Sequence, residues 1–210
     1  MTRRFFVLAA LALTMTARPA AHQLDEYLQA ARIAWDRDRI VVEIDLTPGV
    51  QVAGAVLTAL DRDADGVVVT PEARAYGEAV VGDLELTIDR HPVQLRLDAI
   101  DVPPADDMRR GVGTMQLKAS GTLEGVPHGT GTRHLRFTNH HLPGISVYLA
   151  NALVPVDRGM SVVAQKRDAR QQRLEIEYAV GSARAGQLVW VLFGGAVIMS
   201  AIASRRKRGH

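Results

Sequence analysis

The sequence predicts a mainly β fold, an antiparallel β-sandwich with an inserted helix-loop-helix and a C-terminal transmembrane helix. Three observations lead to this class: apolar and polar residues alternate in many short segments, turn-forming residues separate the segments, and helical spacing interrupts them once. Alternation with period two is typical of strands that bury one face. Two one-sided sheets must bury these faces against each other, so about seven to nine strands favour a sandwich.

The alternating segments define the predicted strands. Between them, residues 36–39 and 89–92 are predicted hairpin turns, because they are rich in turn-forming residues. Residues 103–113 and 121–132 are predicted loops, rich in proline with acids and in glycine with threonine respectively. The strands are predicted at 27–35, 40–46, 84–88, 93–97, 115–117, 135–137, 145–149 and 174–178.

Two short helices are predicted within an insertion at about 50–82. On each, apolar residues recur at the three- and four-residue spacing of a helix face. Gly54 and Gly77 weaken the two helices, because glycine is a poor helix former. The apolar residues are Val52, Val56 and Leu60 before the intervening loop and Ala73, Tyr76 and Val80 after it.

The loop between these helices, residues 61–72, has the spacing of an oxygen cage for a hard divalent cation. Its letters are DRDADGVVVTPE, with carboxylates at positions 1, 3, 5 and 12 and glycine at position 6. Gly66 is expected to make a sharp bend that a Cβ would obstruct. Val69 has no side-chain oxygen, so a water is expected at that vertex. Thr70 and Pro71 fit as N-cap and first residue of the second helix.

This loop resembles the EF-hand family across the whole pattern D-x-[DN]-x-[DN]-G-x5-E. The resemblance implies Ca²⁺ bound by Asp61, Asp63, Asp65, the carbonyl of Val67 and Glu72. A surface turn is the alternative, since Asp and Gly are common in turns, but no turn requires the distant Glu72. No second copy of the loop is found in the sequence. Either the affinity is modest, as in extracellular modules, or another part of the domain braces the loop.

Both ends of the chain indicate export and membrane anchoring. Residues 1–21 have the order of a signal peptide, with Arg3 and Arg4 before an apolar run and small residues at the end. Residues 186–204 are predicted to form a transmembrane helix, because 188–203 carry no charge. The basic tail 205–210 then stays in the cytoplasm. The expected location is the bacterial cytoplasmic (inner) membrane, single-pass, with domain 22–185 on the periplasmic side.

Charge and composition narrow the function further. Of 25 Lys and Arg, three precede residue 22 and four follow residue 204, which leaves 18 against 23 Asp and Glu. The exported part therefore carries a net charge of −5, and nucleic acid is an unsuitable partner. The chain has no cysteine, which excludes disulfides, thiolate metal sites and a cysteine nucleophile.

Three further segments resemble a group of exported, C-terminally anchored bacterial proteins. They are HQLDEYLQ from residue 22, DLTPG from residue 45 and SVYLANALVP from residue 146. The likeness extends loosely to extracytoplasmic domains of nickel or cobalt permease-accessory proteins. It includes no catalytic signature and implies location and fold only.

Histidines and acidic pairs supply the rival hypotheses. After cleavage at Ala21, His22 would offer a free amine and an imidazole to a transition metal, with His140 and His141 as possible additional ligands. The favoured alternative is that His140 and His141 are exposed loop residues. Enzymatic interpretations are weaker. Asp106 and Asp107 are expected to form a solvated acidic turn, and no Gly-x-Ser-x-Gly motif positions Ser146 as a nucleophile.

The sequence thus predicts a calcium-binding, membrane-anchored extracytoplasmic protein without catalytic activity. Its expected partners are the lipid bilayer, through one C-terminal helix, and another envelope or membrane protein. The ion would be either structural or part of a sensor. The alternative is a periplasmic Cu, Ni or Co binding or permease-accessory protein that uses His22.

Overall fold

The structure is a computed structural model that describes residues 25–126 and 129–181. The predicted signal peptide at 1–21, residue His22, the predicted transmembrane segment at 186–204 and the basic tail lie outside the described residues. Within the described ranges, no helix combines the length and apolar character needed to cross a membrane.

The described chain is mainly β, and its helices are concentrated between the second and third strands. The strands are β1 Tyr27–Trp35, β2 Arg39–Pro48, β3 Leu84–Ile88, β4 His91–Pro92, β5 Arg96–Asp101, β6 Met115–Thr122, β7 Gly131–Asn139, β8 Ser146–Ala152, β9 Met160–Arg167 and β10 Arg173–Val180. The helices are α1 Ala53–Leu60, α2 Thr70–Gly82 and α3 Ala105–Arg109.

The strands form two five-stranded sheets. The first has the order β5-β6-β2-β1-β8 and the second the order β4-β3-β7-β10-β9. Their alternate, fully buried side chains belong to one hydrophobic core, to which Ile33 and Ile44 contribute from the first sheet and Phe137 and Ile176 from the second. Each such side chain stabilises the fold by roughly 1.5–3 kcal/mol through burial. The predicted two-sheet, mainly β architecture is confirmed.

The prediction of a purely antiparallel fold is wrong in one place. Strand β8 lies at the edge of the first sheet and pairs in parallel with β1, with Tyr27 opposite Ser146 and Ile33 opposite Ala152. The backbone N–H of Tyr27 donates to the carbonyl of Ile145 at 2.7 Å, which starts this pairing. Alternating burial is the same in parallel and antiparallel strands, so the pattern could not indicate the direction of β8.

Several boundaries also differ from the prediction. The strand expected at 93–97 begins at Arg96 and continues to Asp101. The loop expected at 103–113 contains the short helix α3, and that expected at 121–132 is reduced to 123–130 by the extension of β6 and β7. Strand β9 was not predicted, because its only fully buried residue is Met160. An edge strand exposed on most of its length has no alternation to detect.

Both helices of the insertion bury the faces predicted for them. Val56 and Leu60 of α1 and Tyr76 and Val80 of α2 are buried in the common core. Gly77 has a packing role that outweighs its poor helix propensity. A Cβ at this position would lie 2.9 Å from Cδ2 of Leu97, so glycine allows α2 to approach β5 closely.

Candidate metal centre

The loop between α1 and α2 brings three of the predicted ligands together. Carboxylate oxygens of Asp61, Asp63 and Asp65 all lie within 4.8 Å of one another. Asp61 is half-buried, whereas the other two aspartates are exposed. Such a separation suits several oxygen atoms around one cation, because Ca²⁺–oxygen distances are about 2.3–2.6 Å.

The backbone of the loop turns sharply around these carboxylates. Ala64 and Gly66 have φ values of 60° and 86°, which lie in the left-handed region. The N–H of Gly66 donates to Asp61 Oδ2 at 2.8 Å, and the N–H of Val67 donates to Asp65 Oδ1 at 2.7 Å. The N–H of Asp65 donates at 3.2 Å to both Asp61 and Asp63. These bonds aim the three carboxylates toward the inside of the bend.

Glu72 reaches back from the first turn of α2 to the beginning of the loop. Its Oε1 accepts the N–H of Arg62 at 2.7 Å, and its Oε2 accepts the N–H of Val69 at 3.1 Å. The two ends of the loop are therefore held by one half-buried carboxylate. Glu72 is not part of the close trio of aspartates. Its carboxylate nevertheless accepts a hydrogen bond from Arg62, the residue that directly follows Asp61.

The expected start of α2 is wrong by one residue. Thr70 is the first helical residue and Val69 is the N-cap, with an extended backbone at φ −90° and ψ 160°. Thr70 was expected to be the N-cap residue. The N-cap is instead Val69, and its N–H donates to the side chain of Glu72 in the first turn of the helix. Pro71 remains within the first turn, where its missing N–H costs nothing.

The loop is anchored to the domain on both sides and in the middle. Leu60 is fully buried immediately before Asp61, and Ala73 is buried immediately after Glu72. Between them, Val68 is half-buried and packs against the hydrophobic core, whereas Val67 is 60% exposed and Val69 is 45% exposed. The hydrophobic core thus braces this single loop, which is one of the two possibilities that the sequence left open.

The chemistry of the donor set fits a hard cation. Asp61, Asp63, Asp65 and Glu72 offer only carboxylate oxygens, and Arg62 is the one basic residue in the segment. Four carboxylates in twelve residues repel one another unless a cation or hydrogen bonds offset their charge. The converging ligand group found among the described residues contains no imidazole, so it does not favour a softer metal.

The rival histidines are arranged differently from the prediction. His140 is exposed, with Nε2 lying 3.5 Å from Glu85. The expectation that His141 is also exposed is wrong, because its side chain is only 6% exposed. Its Nδ1 lies 2.7 Å from Asp83 Oδ2 and its Nε2 lies 3.1 Å from the hydroxyl of Tyr76. Both ring nitrogens are engaged, so His141 cannot ligate a metal in this arrangement.

The other candidates are structural. Asp106 and Asp107 lie in the first turn of α3, where they pair with Arg109 and Arg110 and Asp106 is exposed to solvent, as predicted. Ser146 Oγ accepts the side-chain N–H of Gln29 at 2.7 Å and donates to the carbonyl of His141 at 3.2 Å. It makes no hydrogen bond to the His141 ring among the described residues.

A buried polar network connects α2 to both sheets, and no local sequence pattern indicated it. The hydroxyl of Tyr76 lies 2.9 Å from that of Tyr27 on β1 and 3.1 Å from His141 Nε2. Burial lowers the pKa of His141, although the hydrogen bond and charge of Asp83 oppose this shift. A neutral ring donates from Nδ1–H to Asp83 and accepts the Tyr76 O–H at Nε2. Burial also raises the pKa of Tyr76 to about 12, so its hydroxyl stays protonated.

The network continues beneath β8. Gln29, fully buried on β1, donates to the carbonyl of His141 at 3.0 Å and accepts from Asn139 Nδ2 at 2.8 Å. Tyr148 donates its hydroxyl to the same His141 carbonyl at 2.8 Å. Gln29 is separated from both Asn139 and His141 by more than 100 positions in the chain, so no local pattern could have revealed these contacts.

No family model matches this chain, and no curated protein matches it significantly. The site must therefore be interpreted from its own geometry.

Proposed function

We propose that this protein is a calcium-binding β-sandwich protein anchored in the bacterial cytoplasmic membrane, with a single EF-hand-like loop and its domain on the periplasmic side. The observation that supports calcium binding best is the convergence of Asp61, Asp63 and Asp65, whose oxygens lie within 4.8 Å of one another. Asp61, Asp63, Asp65, the Val67 carbonyl and Glu72 would hold the ion.

A calcium ion would supply positive charge that offsets the carboxylates of the loop. The aspartates now use some of their oxygens to accept backbone N–H groups of the same loop, which holds the bend in shape. Each carboxylate has further lone pairs for a cation. Glu72 already lies across the start of the loop, where its Oε1 accepts the N–H of Arg62 at 2.7 Å. Calcium tolerates such an irregular set of oxygens better than magnesium, which demands an octahedron.

A structural role for the ion is favoured over a sensor role by the position of α2. Glu72 and Tyr76 are four residues apart and so lie on one face of this helix. Tyr76 is tied to the first sheet through Tyr27 and to the β7–β8 connection through His141. A helix held by buried hydrogen bonds is poorly suited to a large opening motion, so the ion would fix the beginning of α2.

Membrane anchoring is supported by the sequence alone. The apolar run at 188–203 is followed by four basic residues at 205–208, and the chain begins with the pattern of a signal peptide. The described domain ends at Gly181, a few residues before the apolar run.

Isothermal titration calorimetry on the detergent-solubilised full chain tests the proposal. We expect heat of Ca²⁺ binding in the wild type and none in the double variant Asp61→Asn with Glu72→Gln. The matched control is Asp106→Asn with Asp107→Asn, which removes two carboxylates outside the loop and should bind like the wild type. Equal heats in the wild type and the loop variant would refute calcium binding at this site.

The same titration with Mg²⁺, and with Cu²⁺ or Ni²⁺, separates the alternative. A transition-metal protein that uses His22 would bind Cu²⁺ or Ni²⁺ in the loop variant as well as in the wild type, provided that the N-terminus is correctly processed. Calcium binding at the loop should instead be present in the wild type and absent from the loop variant.

A further inference from the structure

The most exposed large apolar side chains of the described domain lie together in the connection between β8 and β9. Val154 is 87% exposed and Val156 is 93% exposed, and Leu153 beside them is 41% exposed. We define Leu153, Val154, Pro155 and Val156 as the apolar loop. Adjacent exposed apolar residues are costly in water and mark contact surfaces when they cluster.

This loop is held beside the point at which the described chain ends. The N–H of Gly181 donates to the carbonyl of Gly159 at 2.7 Å. Arg37 donates to the carboxylate of Asp157 at 2.6 Å and to the carbonyl of Gly181 at 3.2 Å. Gly159 fits this junction because a Cβ there would lie 2.6 Å from the Arg37 guanidinium. The end of β10 and the base of the apolar loop are thus one fixed unit.

The length of chain between this unit and the apolar run limits its distance from the membrane. Residues 182–187 separate Gly181 from Leu188, the first residue of the uncharged stretch. Gly181 and Leu188 are seven steps apart in the chain, which spans at most about 25 Å. The apolar loop shares this limit because it is bonded to Gly181. It therefore lies at the membrane end of the domain, if the chain is anchored as proposed above.

Charge at this end fits a bilayer surface better than an apolar protein groove. Arg158 is exposed directly after the loop, where it can reach anionic lipid headgroups while the valines enter the interface. Asp36 and Asp38 of the β1–β2 turn are at the same end of the first sheet and disfavour flat contact with such a surface. An edgewise contact through the β8–β9 connection would keep these two aspartates away from such a surface.

We propose that the apolar loop inserts into the lipid interface and orients the domain on its membrane, a role that rests on the proposed anchor. Interfacial apolar side chains enter the headgroup and acyl boundary by about 5–10 Å.

The absence of cysteine from the natural sequence allows a direct test. Full-length Val154→Cys would carry an environment-sensitive nitrobenzoxadiazole label in vesicles of phosphatidylethanolamine and phosphatidylglycerol. The matched control is Val112→Cys, a 69% exposed valine beyond α3 at the opposite end. This control is about 24 Å farther from the membrane end, the length of seven strand residues.

We expect a blue-shifted emission and loss of iodide quenching at position 154, with a water-like emission at position 112. Equal emission and quenching at both positions, in protein that floats with the vesicles, would overturn the insertion and leave the anchor intact. Such a result would favour a protein partner for the loop. Protein that does not float with the vesicles would overturn the anchor and the insertion together. Val154→Ser with Val156→Ser, labelled at Leu153→Cys, should reverse the blue shift if insertion depends on the two valines.

Discussion

Tyr76 and His141 are joined by a hydrogen bond of 3.1 Å and by edge-to-face packing, with ring centroids 5.6 Å apart. Tyr76 lies on the helix that leaves the acidic loop, and His141 follows the central strand β7 of the second sheet. This pair is the main polar connection between the insertion and the sheets. It ties the middle of α2 to the domain core.

Replacing Tyr76 by phenylalanine should destabilise the domain by about 1–3 kcal/mol, the usual cost of leaving buried polar groups without partners. The substitution keeps the ring but leaves the Tyr27 hydroxyl without its bond of 2.9 Å and His141 Nε2 without its donor. Urea denaturation followed by circular dichroism measures the change. Tyr178→Phe is the control, because Tyr178 is equally buried and its hydroxyl has no hydrogen bond within the described part. A similar loss in both variants would contradict the role of the network.

Stability should fall in mild acid because of His141. Burial holds its pKa below the ordinary value of 6.5, so the unfolded chain binds a proton more readily than the folded one. The contribution of the neutral His141 ring to the free energy of unfolding is complete above about pH 6.5. It is lost as the pH falls from there through the folded pKa. Two groups face the ring. Asp83 favours the protonated ring and so reduces this loss of stability, and Tyr76 does not titrate in this range because its pKa is raised.

The measurement is the free energy of unfolding between pH 8 and pH 5, with His141→Gln and His140→Gln compared with the wild type. The first variant should show a shallower decline toward acid, because its side chain does not titrate. The second should keep the slope of the wild type, because His140 is exposed. A slope that is unchanged in His141→Gln would show that other groups cause the decline.

Two glycines of the insertion should respond to alanine in opposite directions. Gly66 has φ 86°, where a Cβ is strained even though nothing lies within 4 Å of it. Gly66→Ala should therefore cost about 1–2 kcal/mol. Gly54 lies within α1 and also has open space, so Gly54→Ala should stabilise the domain by about 0.5–1 kcal/mol. Denaturation of both variants decides the matter, and shifts of the same sign would exclude a backbone origin.

The sequence predicted the elements whose own side chains carry the pattern. Strand β1 and the faces of α1 and α2 were predicted correctly, because burial alternates or recurs within each of them. The spacing of Asp61, Asp63 and Asp65 also predicted their convergence, because the contacts span only a few residues.

What the sequence missed depends on contacts between distant segments. The parallel partner of β1 begins at Ser146, more than 100 positions away, and nothing local to either strand specifies that pairing. The burial of His141 arises from Tyr76 and Asp83, which other elements supply. Strand β9 lacks a pattern because it needs none at an exposed edge. Tertiary contacts therefore determine these features, and the local sequence preferences do not indicate them.

Val68 should govern how firmly the loop binds calcium, although it supplies no ligand. Its half-buried side chain packs against the core and fixes the middle of the loop, whereas the neighbouring Val67 side chain is 60% exposed. Val68→Ala removes part of that packing, so binding must order a looser loop. The calcium affinity should fall by up to about tenfold, equivalent to about 1.4 kcal/mol.

Val67→Ala is the matched control for this prediction. It removes the same atoms from the same loop, keeps the backbone carbonyl proposed as a ligand and disturbs no core contact, so its affinity should equal that of the wild type. Titration calorimetry on both variants at equal ionic strength gives the comparison. If Val67→Ala weakens binding as much as Val68→Ala, side-chain bulk near the ion controls affinity. The core would then contribute nothing to holding the loop, because the two valines differ chiefly in their contact with it.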